Sequence, residues 1–298
     1  MTFCSNRADC CKLPSPRQAR PLFLTSHIVQ NIDYLKFLLA NTLTDSSMPK
    51  AKSPFFIWFT GRSGSTHLCD LLDSHPQIYC RKENFSFVKN PGEVPYRSRM
   101  LFTPGRKIKN PASSEVLDYL NQIYSTDSLA AGFKFKFPNQ SRGFPEVTEQ
   151  LPQIPGIKVI ELIRENTLKQ VISIQNRKRI KAMGVSRGAN LLESLKLEPL
   201  LLDVDTAVDE ANKLLLRREE FRQYSAMFSD SISITYEQIC FEPQQIIPQI
   251  LEFLNVDTNV DLTSRFFKTT PDNIREAVAN YEELVAAVKG TKLEEFLD

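Results

Sequence analysis

The stretch FFIWFTGRSGSTHLCDLLDSHP, residues 55–76, places a turn rich in Gly, Arg, Ser and Thr between an apolar run and leucines at helical spacing. The apolar run is typical of a buried strand, and the leucines are typical of a helix that packs on it. Such a strand-turn-helix unit points several backbone N–H groups and the positive end of the helix at one spot. A turn that needed only a helix cap would not require this many donors. The stretch therefore predicts an anion-binding loop formed by Arg62, Ser63, Gly64, Ser65 and Thr66.

The residues after this unit alternate between short apolar runs and longer amphipathic stretches. Strands are predicted at 55–59, 132–137, 158–163 and 231–235, and helices at 66–74, 114–125, 167–181, 205–228, 243–254 and 272–288. This alternation indicates an α/β fold with a mostly parallel sheet flanked by helices. Ligands of such sheets bind at the carboxyl ends of strands, where the loop and a second polar segment, Arg-Glu-Asn at 164–166, are both expected.

The composition is that of an ordinary soluble protein, with 298 residues, 42% hydrophobic and 24% charged, and a formal net charge of +2. This small charge gives no bulk field for nucleic acid, so anions must be bound by locally placed Arg and Lys. No run approaches the roughly 18 apolar residues of a membrane span. No secretory leader is recognisable either, and we expect a cytoplasmic protein without an integral membrane segment. Six cysteines without a CxxC pair favour reduced thiols.

The chain is predicted to consist of an N-terminal extension, residues 1–47, and one domain, residues 48–298. The extension is expected to be partly disordered, with one amphipathic helix over 28–40. The three cysteines among its first 11 residues lack further ligands at metal spacing, which favours a tail over a metal site.

Nucleotide kinases and α/β-hydrolases also place such a turn after a first strand, but the residues here argue against both classes. A nucleotide-kinase loop ends in Gly-Lys-Ser/Thr, whereas no Lys occurs between residues 53 and 81. A nucleophile elbow requires G-x-S-x-G, but GRSGS ends in Ser65, and no His follows His75 to act as the base.

Three segments carry a resemblance to one enzyme family. GRSGST at 61–66, followed by LCDLLDSHPQI, resembles the 5′-phosphosulfate loop and first helix of sulfotransferases that use 3′-phosphoadenosine 5′-phosphosulfate (PAPS), especially the bacterial carbohydrate type and the tyrosylprotein sulfotransferases. The segments VIELIRENTLKQVISIQNRKR at 159–179 and ITYEQICFEPQQIIPQILEFLNV at 234–256 are similar to later parts of these enzymes. The resemblance covers about 48–298 and implies a P-loop NTPase-like sulfotransferase fold with PAPS as the sulfuryl donor.

The resemblance also implies roles for individual residues. It matches Arg164 and Ser173 to the family's 3′-phosphate ligands, and both are expected to face the sheet edge beside the loop. It matches Glu83 to the catalytic base, for which a surface Glu balanced by its basic neighbours is the alternative. It matches Lys134 to a cation that would stabilise the leaving phosphate together with Arg62; Lys136, on the same strand face, is a second candidate. No metal is implied, because the sulfuryl group is close to neutral during transfer.

The sequence thus predicts a sulfotransferase that moves a sulfuryl group from PAPS to a hydroxyl of a small molecule, glycan or lipid. The alternative is a non-catalytic binder of PAPS or of its product 3′-phosphoadenosine 5′-phosphate (PAP). The acceptor is expected to contact residues 84–112 and 182–203, which show little periodicity. His67 and His75 are expected to cap or pack, and the basic residues of 177–181 to form a solvated helix face from which one side chain could reach the 3′-phosphate.

Overall fold

The structure, a computed structural model, describes residues 50–89, 97–184, 197–265 and 270–297. Residues Met48–Asp298 form one compact unit. The extension 1–47, with its expected helix over 28–40 and its three cysteines, lies outside the described residues.

The described residues contain eight strands, two short 3₁₀ turns and ten α-helices. The strands are β1 Ser53–Phe59, β2 Ile78–Arg81, β3 Phe85–Lys89, β4 Arg97–Thr103, β5 Arg106–Lys109, β6 Ala130–Lys136, β7 Lys158–Ile163 and β8 Ser231–Thr235. The helices are α1 Ser65–Asp73, α2 Ser113–Tyr124, α3 Asn139–Gly143, α4 Pro145–Gln150, α5 Thr167–Ala182, α6 Val204–Ser225, α7 Tyr236–Phe241, α8 Pro243–Phe253, α9 Ile274–Ala277 and α10 Tyr281–Val288. The 3₁₀ turns are Leu151–Gln153 and Glu294–Phe296.

The central sheet has five parallel strands in the order β2-β6-β1-β7-β8, which confirms the predicted α/β fold. Strand β1 lies in the middle, and every one of its seven residues is buried. A strand covered on both faces needs apolar side chains in both directions, which is why its sequence is a continuous apolar run. β7 and β8 have the predicted bounds, whereas β6 begins two residues before its predicted start.

Helices cover both faces of the sheet and form two cores with β1. On one face, the side chains of Phe55, Ile57 and Phe59 pack with α1 and α8. On the other face, Phe56 and Trp58 pack with α2, α4 and the end of α6. Burying a large apolar side chain contributes about 1.5–3 kcal/mol, so these layers fix the loop that follows β1.

A second sheet, β3-β4-β5, is antiparallel and lies within residues 84–112, where no strand was predicted. The sequence did not indicate these strands because they are half-exposed and rich in charge, so no clean alternation is visible. Asn84 fixes this sheet to the domain: its Nδ2 donates to the Phe102 carbonyl at 2.6 Å and to the Tyr119 hydroxyl at 2.8 Å.

The single helix predicted over 272–288 is instead two helices, α9 and α10. Between them, the Leu200 N–H donates to the Ala277 carbonyl at 2.8 Å, and the Ala279 N–H donates to the Leu200 carbonyl at 2.9 Å. This long-range pairing draws Val278 into an extended conformation, which local periodicity could not reveal.

Two further features bear on the expectations from composition. None of the described helices has both the length and the apolar character needed to cross a membrane. The described cysteines, Cys69, Cys80 and Cys240, are free, and the first two are buried with their sulfurs 3.4 Å apart.

Candidate active site

The loop between β1 and α1 lies at the carboxyl end of the central strand. Arg62 and Gly64 both adopt left-handed backbone conformations, with φ of 69° and 82°. Gly64 is the N-cap of α1 and provides no side-chain cap. A Cβ at this position would lie 2.4 Å from Cδ2 of Tyr236, so the close approach of that ring requires glycine as well. The open helix end therefore points toward an adjacent cavity with its donors available for an anion.

Hydrogen bonds from within the domain hold this loop in place. The Ser63 hydroxyl, which is fully buried, donates to the Thr60 carbonyl at 2.7 Å. The amide of Gln170 on α5 donates to the Thr60 hydroxyl at 3.1 Å and to the Gly61 carbonyl at 2.6 Å. The Ser63 side chain thus closes the loop and is not among the residues that line the adjacent cavity, so its predicted contact with a ligand stays a prediction.

A cavity of about 360 Å³ lies against the loop and collects most of the predicted site residues. Those that line it are Arg62, Gly64, Ser65, Thr66, Glu83, Arg164 and Ser173. Tyr236, Thr270, Lys136, Arg177 and Lys178 also line it, so two members of the basic run 177–181 face the cavity. The sequence had predicted that this run forms a solvated helix face from which one side chain could reach the 3′-phosphate.

Arg164, the first residue after β7, is a desolvated cation at this cavity. Its side chain is only 6% exposed, and its guanidinium carbon lies 4.5 Å from the centre of the Tyr236 ring. Burial lowers the pKa of the Arg164 guanidinium from its ordinary value. Its Nε has no hydrogen-bond partner among the described residues. A buried cationic donor without a partner is costly, and because Arg164 also lines the cavity, this side of the site is suited to an anion.

Glu83 and Lys134 form an ion pair beside the loop. The Lys134 ammonium lies 3.1 Å from Glu83 Oε1 and 2.9 Å from the Thr66 hydroxyl, and it is 3% exposed. Lys82 pairs with Asp70 at 3.0 Å, so Glu83 is balanced by this inner lysine and not by its sequence neighbour. Glu83 lines the cavity with about a third of its side chain exposed, and Lys134 lies behind it.

The second strand lysine, Lys136, occupies a different position from Lys134. It lines the cavity itself, and its Cε and Nζ would both lie 2.9 Å from a Cβ placed on Gly61. The two lysines therefore flank the loop: Lys134 lies at the start of α1, and Lys136 lies beside Gly61, the first glycine of the loop. The geometry brings both candidate cations to the site.

Two site residues were not singled out from the sequence. Gln140 is buried on α3; its Oε1 accepts from the Lys136 N–H at 2.6 Å, and its Nε2 lies 3.5 Å from Glu83 Oε2. Tyr236 begins α7 behind a Thr235–Gln238 capping box and packs between Gly64 and Arg164. The capping box was a readable signal for a helix start at Tyr236, whereas no local pattern indicated Gln140.

The two described histidines, His67 and His75, have structural partners. His75 Nε2 lies 2.8 Å from the Asp257 carbonyl, and its Nδ1 accepts from the Gln77 N–H at 3.0 Å. His67 Nδ1 lies 2.9 Å from the Ser264 hydroxyl, and burial lowers the pKa of its imidazole. Neither lines the cavity. Among the described residues, no group of three or more His, Cys, Asp or Glu side chains could hold a metal ion.

Comparison with known proteins gives one family match. The model of the sulfotransferase family matches residues 54–260. Among solved structures, a sulfotransferase from Alicyclobacillus acidocaldarius is similar at 16% identity with a TM-score of 0.44, over 85% of this chain and 96% of that one. The sulfotransferase domain from the curacin biosynthetic pathway is similar at 15% identity with a TM-score of 0.44, over 85% of this chain and 90% of that one. No curated protein sequence matches.

Proposed function

Because the chain belongs to the sulfotransferase family, we propose that it transfers a sulfuryl group from PAPS to a hydroxyl of a small molecule, glycan or lipid. One observation carries the proposal: the uncapped start of α1 and the buried, unsatisfied Arg164 face the same cavity from segments about 100 residues apart. PAPS has an anionic group at each of two positions on its ribose, and this cavity offers a separate set of donors for each.

Each of the two sets of donors would bind one of the anionic groups of PAPS. Backbone N–H groups at the start of α1 and the Thr66 hydroxyl would hold the 5′-phosphosulfate. Arg164 and Ser173, which both line the cavity, would hold the 3′-phosphate, with the Arg164 guanidinium supplying charge-assisted hydrogen bonds. PAPS when bound would supply the sulfuryl group, and the remaining chemistry would fall to side chains at the loop.

Glu83 would act as the general base. The acceptor hydroxyl loses its proton as its oxygen bonds to sulfur, while the bond from sulfur to the 5′-phosphate oxygen breaks and PAP leaves. Glu83 would take that proton, since its carboxylate lines the cavity beside Thr66 and remains partly accessible to an acceptor. The described histidines hydrogen-bond elsewhere, which leaves Glu83 as the better-placed base.

Lys134 and Arg62 would stabilise the negative charge that grows on the departing phosphate. Lys134 touches both Thr66 and Glu83, so a single ammonium links the phosphosulfate loop to the base. This pairing favours an enzyme over a non-catalytic PAPS binder, because nucleotide binding alone does not require a carboxylate at the loop. No divalent metal is required, since the transferred group is close to neutral and side-chain cations can stabilise the leaving phosphate.

Transfer of ³⁵S from labelled PAPS to a library of alcohols, phenols, glycans and hydroxylated lipids tests the proposal. We expect labelled product and stoichiometric PAP with at least one acceptor class. Tight PAP binding without transfer to any class would instead support the non-catalytic alternative. A protein that binds neither PAPS nor PAP would refute both.

A further inference from the structure

We propose that Arg218 and Glu237 are positioning residues that fix the turn between β7 and α5 and thereby set the selectivity of the site for a nucleotide with a 3′-phosphate. The inference rests on the proposed function, because it concerns how the sulfuryl donor is recognised. Neither side chain is among the described residues that line the nucleotide cavity, so both would act through Arg164.

The turn consists of Arg164, Glu165 and Asn166, which lie between the end of β7 and the start of α5. Two side chains from distant segments bind four of its backbone groups. From α6, Arg218 Nη2 donates to the Arg164 carbonyl at 2.7 Å and to the Glu165 carbonyl at 2.8 Å. From α7, the two oxygens of the Glu237 carboxylate accept from the Glu165 N–H at 3.0 Å and from the Asn166 N–H at 3.3 Å. The turn is therefore held through its carbonyls and its amides at the same time.

The charges of the two side chains strengthen this hold. Hydrogen bonds in which one partner is ionised are roughly twice as strong as those between neutral groups. Burial lowers the pKa of the Arg218 guanidinium, whereas Glu165 and Glu237 act in the opposite direction. A partly desolvated cation is costly unless its donors are satisfied, so Arg218 favours the backbone conformation that offers it two carbonyls.

Both side chains extend from helices that are themselves fixed by the domain. Phe221 lies one turn after Arg218 on α6, is fully buried, and packs edge-on against Trp58 of β1 at 5.7 Å between ring centres. α7 begins with a reciprocal capping box between Thr235 and Gln238. The turn therefore takes its position from the packed layers that also fix the loop after β1.

The position of this turn decides where the Arg164 guanidinium lies. Tyr236, the residue before Glu237, places its ring centre 4.5 Å from the guanidinium carbon. The first two residues of α7 thus contact the side chain of Arg164 and the backbone that follows it. Since hydrogen bonds weaken steeply as their geometry departs from the ideal, a shift of the turn should weaken binding of the 3′-phosphate. The 5′ group, which the start of α1 would bind, should be nearly unaffected.

Asn166 completes the turn but is a less suitable target for substitution. Its Oδ1 accepts from the Lys169 N–H at 2.7 Å and caps α5, and its Nδ2 donates to the Phe296 carbonyl at 2.6 Å. Loss of these bonds would also disturb α5 and with it Ser173. Arg218 and Glu237 contact the turn from other helices, so their substitution leaves the residues of the turn unchanged.

Calorimetry on the full-length protein with PAP and with adenosine 5′-phosphate tests the inference. In Arg218→Gln and in Glu237→Gln, PAP should bind about 3- to 10-fold more weakly, with adenosine 5′-phosphate bound as in the wild type. The first variant loses the charged donor, and the second offers one acceptor oxygen to two N–H groups. Arg218→Lys, which keeps a charged donor, should restore part of the preference for PAP.

The two Gln variants change the local charge in opposite directions, which separates positioning from a direct effect of charge on the phosphate. Loss of a nearby cation weakens phosphate binding through the field, and loss of a nearby anion strengthens it. Positioning instead lowers the preference for PAP in both variants. The matched controls are Arg217→Gln and Glu242→Gln, which neutralise exposed residues on α6 and at the end of α7 and should keep the wild-type preference.

Several results would overturn the inference. An unchanged preference in both Arg218→Gln and Glu237→Gln would do so, as would opposite shifts in the two variants or an equal loss in the controls. Equal weakening of both nucleotides, with a lower melting temperature, would show a role in the fold alone. A wild type that bound the two nucleotides equally would instead refute the proposed nucleotide site, so failure of the proposed function is recognised before any variant is compared.

Discussion

The Arg62 Nε donates a hydrogen bond to the Ser173 hydroxyl at 3.1 Å and so joins two segments that lie 111 residues apart. Arg62 belongs to the loop after β1, and Ser173 to the second turn of α5. The contact brings the two motifs of the sequence to one side of the cavity, where a single ligand can bridge them.

Gly64→Ala should damage both the fold and the site. The left-handed backbone disfavours any Cβ, and here the Cβ would also meet the Tyr236 ring at 2.4 Å. We expect a loss of about 2–4 kcal/mol in the free energy of unfolding and PAP binding at least about tenfold weaker.

Gly105→Ala is the matched control for that variant. Gly105 has a φ of 73°, but nothing lies within 4 Å of its added Cβ. It should cost about 1 kcal/mol and leave PAP affinity unchanged. If chemical denaturation and calorimetry showed equal effects for both variants, the Tyr236 contact would not be what requires Gly64.

Glu83→Gln should slow the transfer step but leave nucleotide binding nearly unchanged. The amide keeps the shape of the carboxylate but cannot accept the proton, so single-turnover transfer should fall by roughly 100- to 10,000-fold. PAP affinity should change by less than about threefold, which corresponds to under 1 kcal/mol. Retention of the wild-type rate, with loss of activity in His67→Ala or His75→Ala, would move the role of base to a histidine.

Gln140→Glu should disturb the orientation of the base. The new carboxylate can still accept from the Lys136 N–H, but it no longer donates to Glu83 and adds a like charge beside it. We expect kcat to fall by about tenfold and the acidic limb of the pH–rate profile to move to higher pH, because a second carboxylate disfavours ionisation of the pair. A purely structural role would instead lower the melting temperature and leave the shape of that profile unchanged.

The fold and the core of the site could be predicted from sequence wherever the signal was local. The apolar run of β7 set its own boundaries, and the resemblance of the segment that follows it to a family motif pointed to Arg164 and Ser173. The break at Val278 depends on Leu200, and the position of Gln140 depends on how α3 packs against Glu83. Contacts between distant segments leave no periodic trace, which is why these features needed the structure.

Removal of residues 1–47 should leave the nucleotide site intact. The cavity residues that the structure describes lie beyond Met48, and residues from Met48 onward form one compact unit. A protein that begins at Met48 should melt within a few degrees of the full chain and bind PAP with the same affinity. An insoluble or loosely folded product in thermal unfolding experiments would show that the extension contributes to the core.

The cavity should bind a nucleotide with a 3′-phosphate through Arg164. Calorimetry with PAP and with adenosine 5′-phosphate, which lacks only that phosphate, measures the contribution of that contact. The wild type should bind PAP about 10- to 100-fold more tightly, as expected for charge-assisted bonds to one phosphate. Arg164→Ala, with an unchanged melting temperature, should bind both nucleotides about equally. Equal affinity of the wild type for the two nucleotides, or undiminished preference for PAP in Arg164→Ala, would contradict the account.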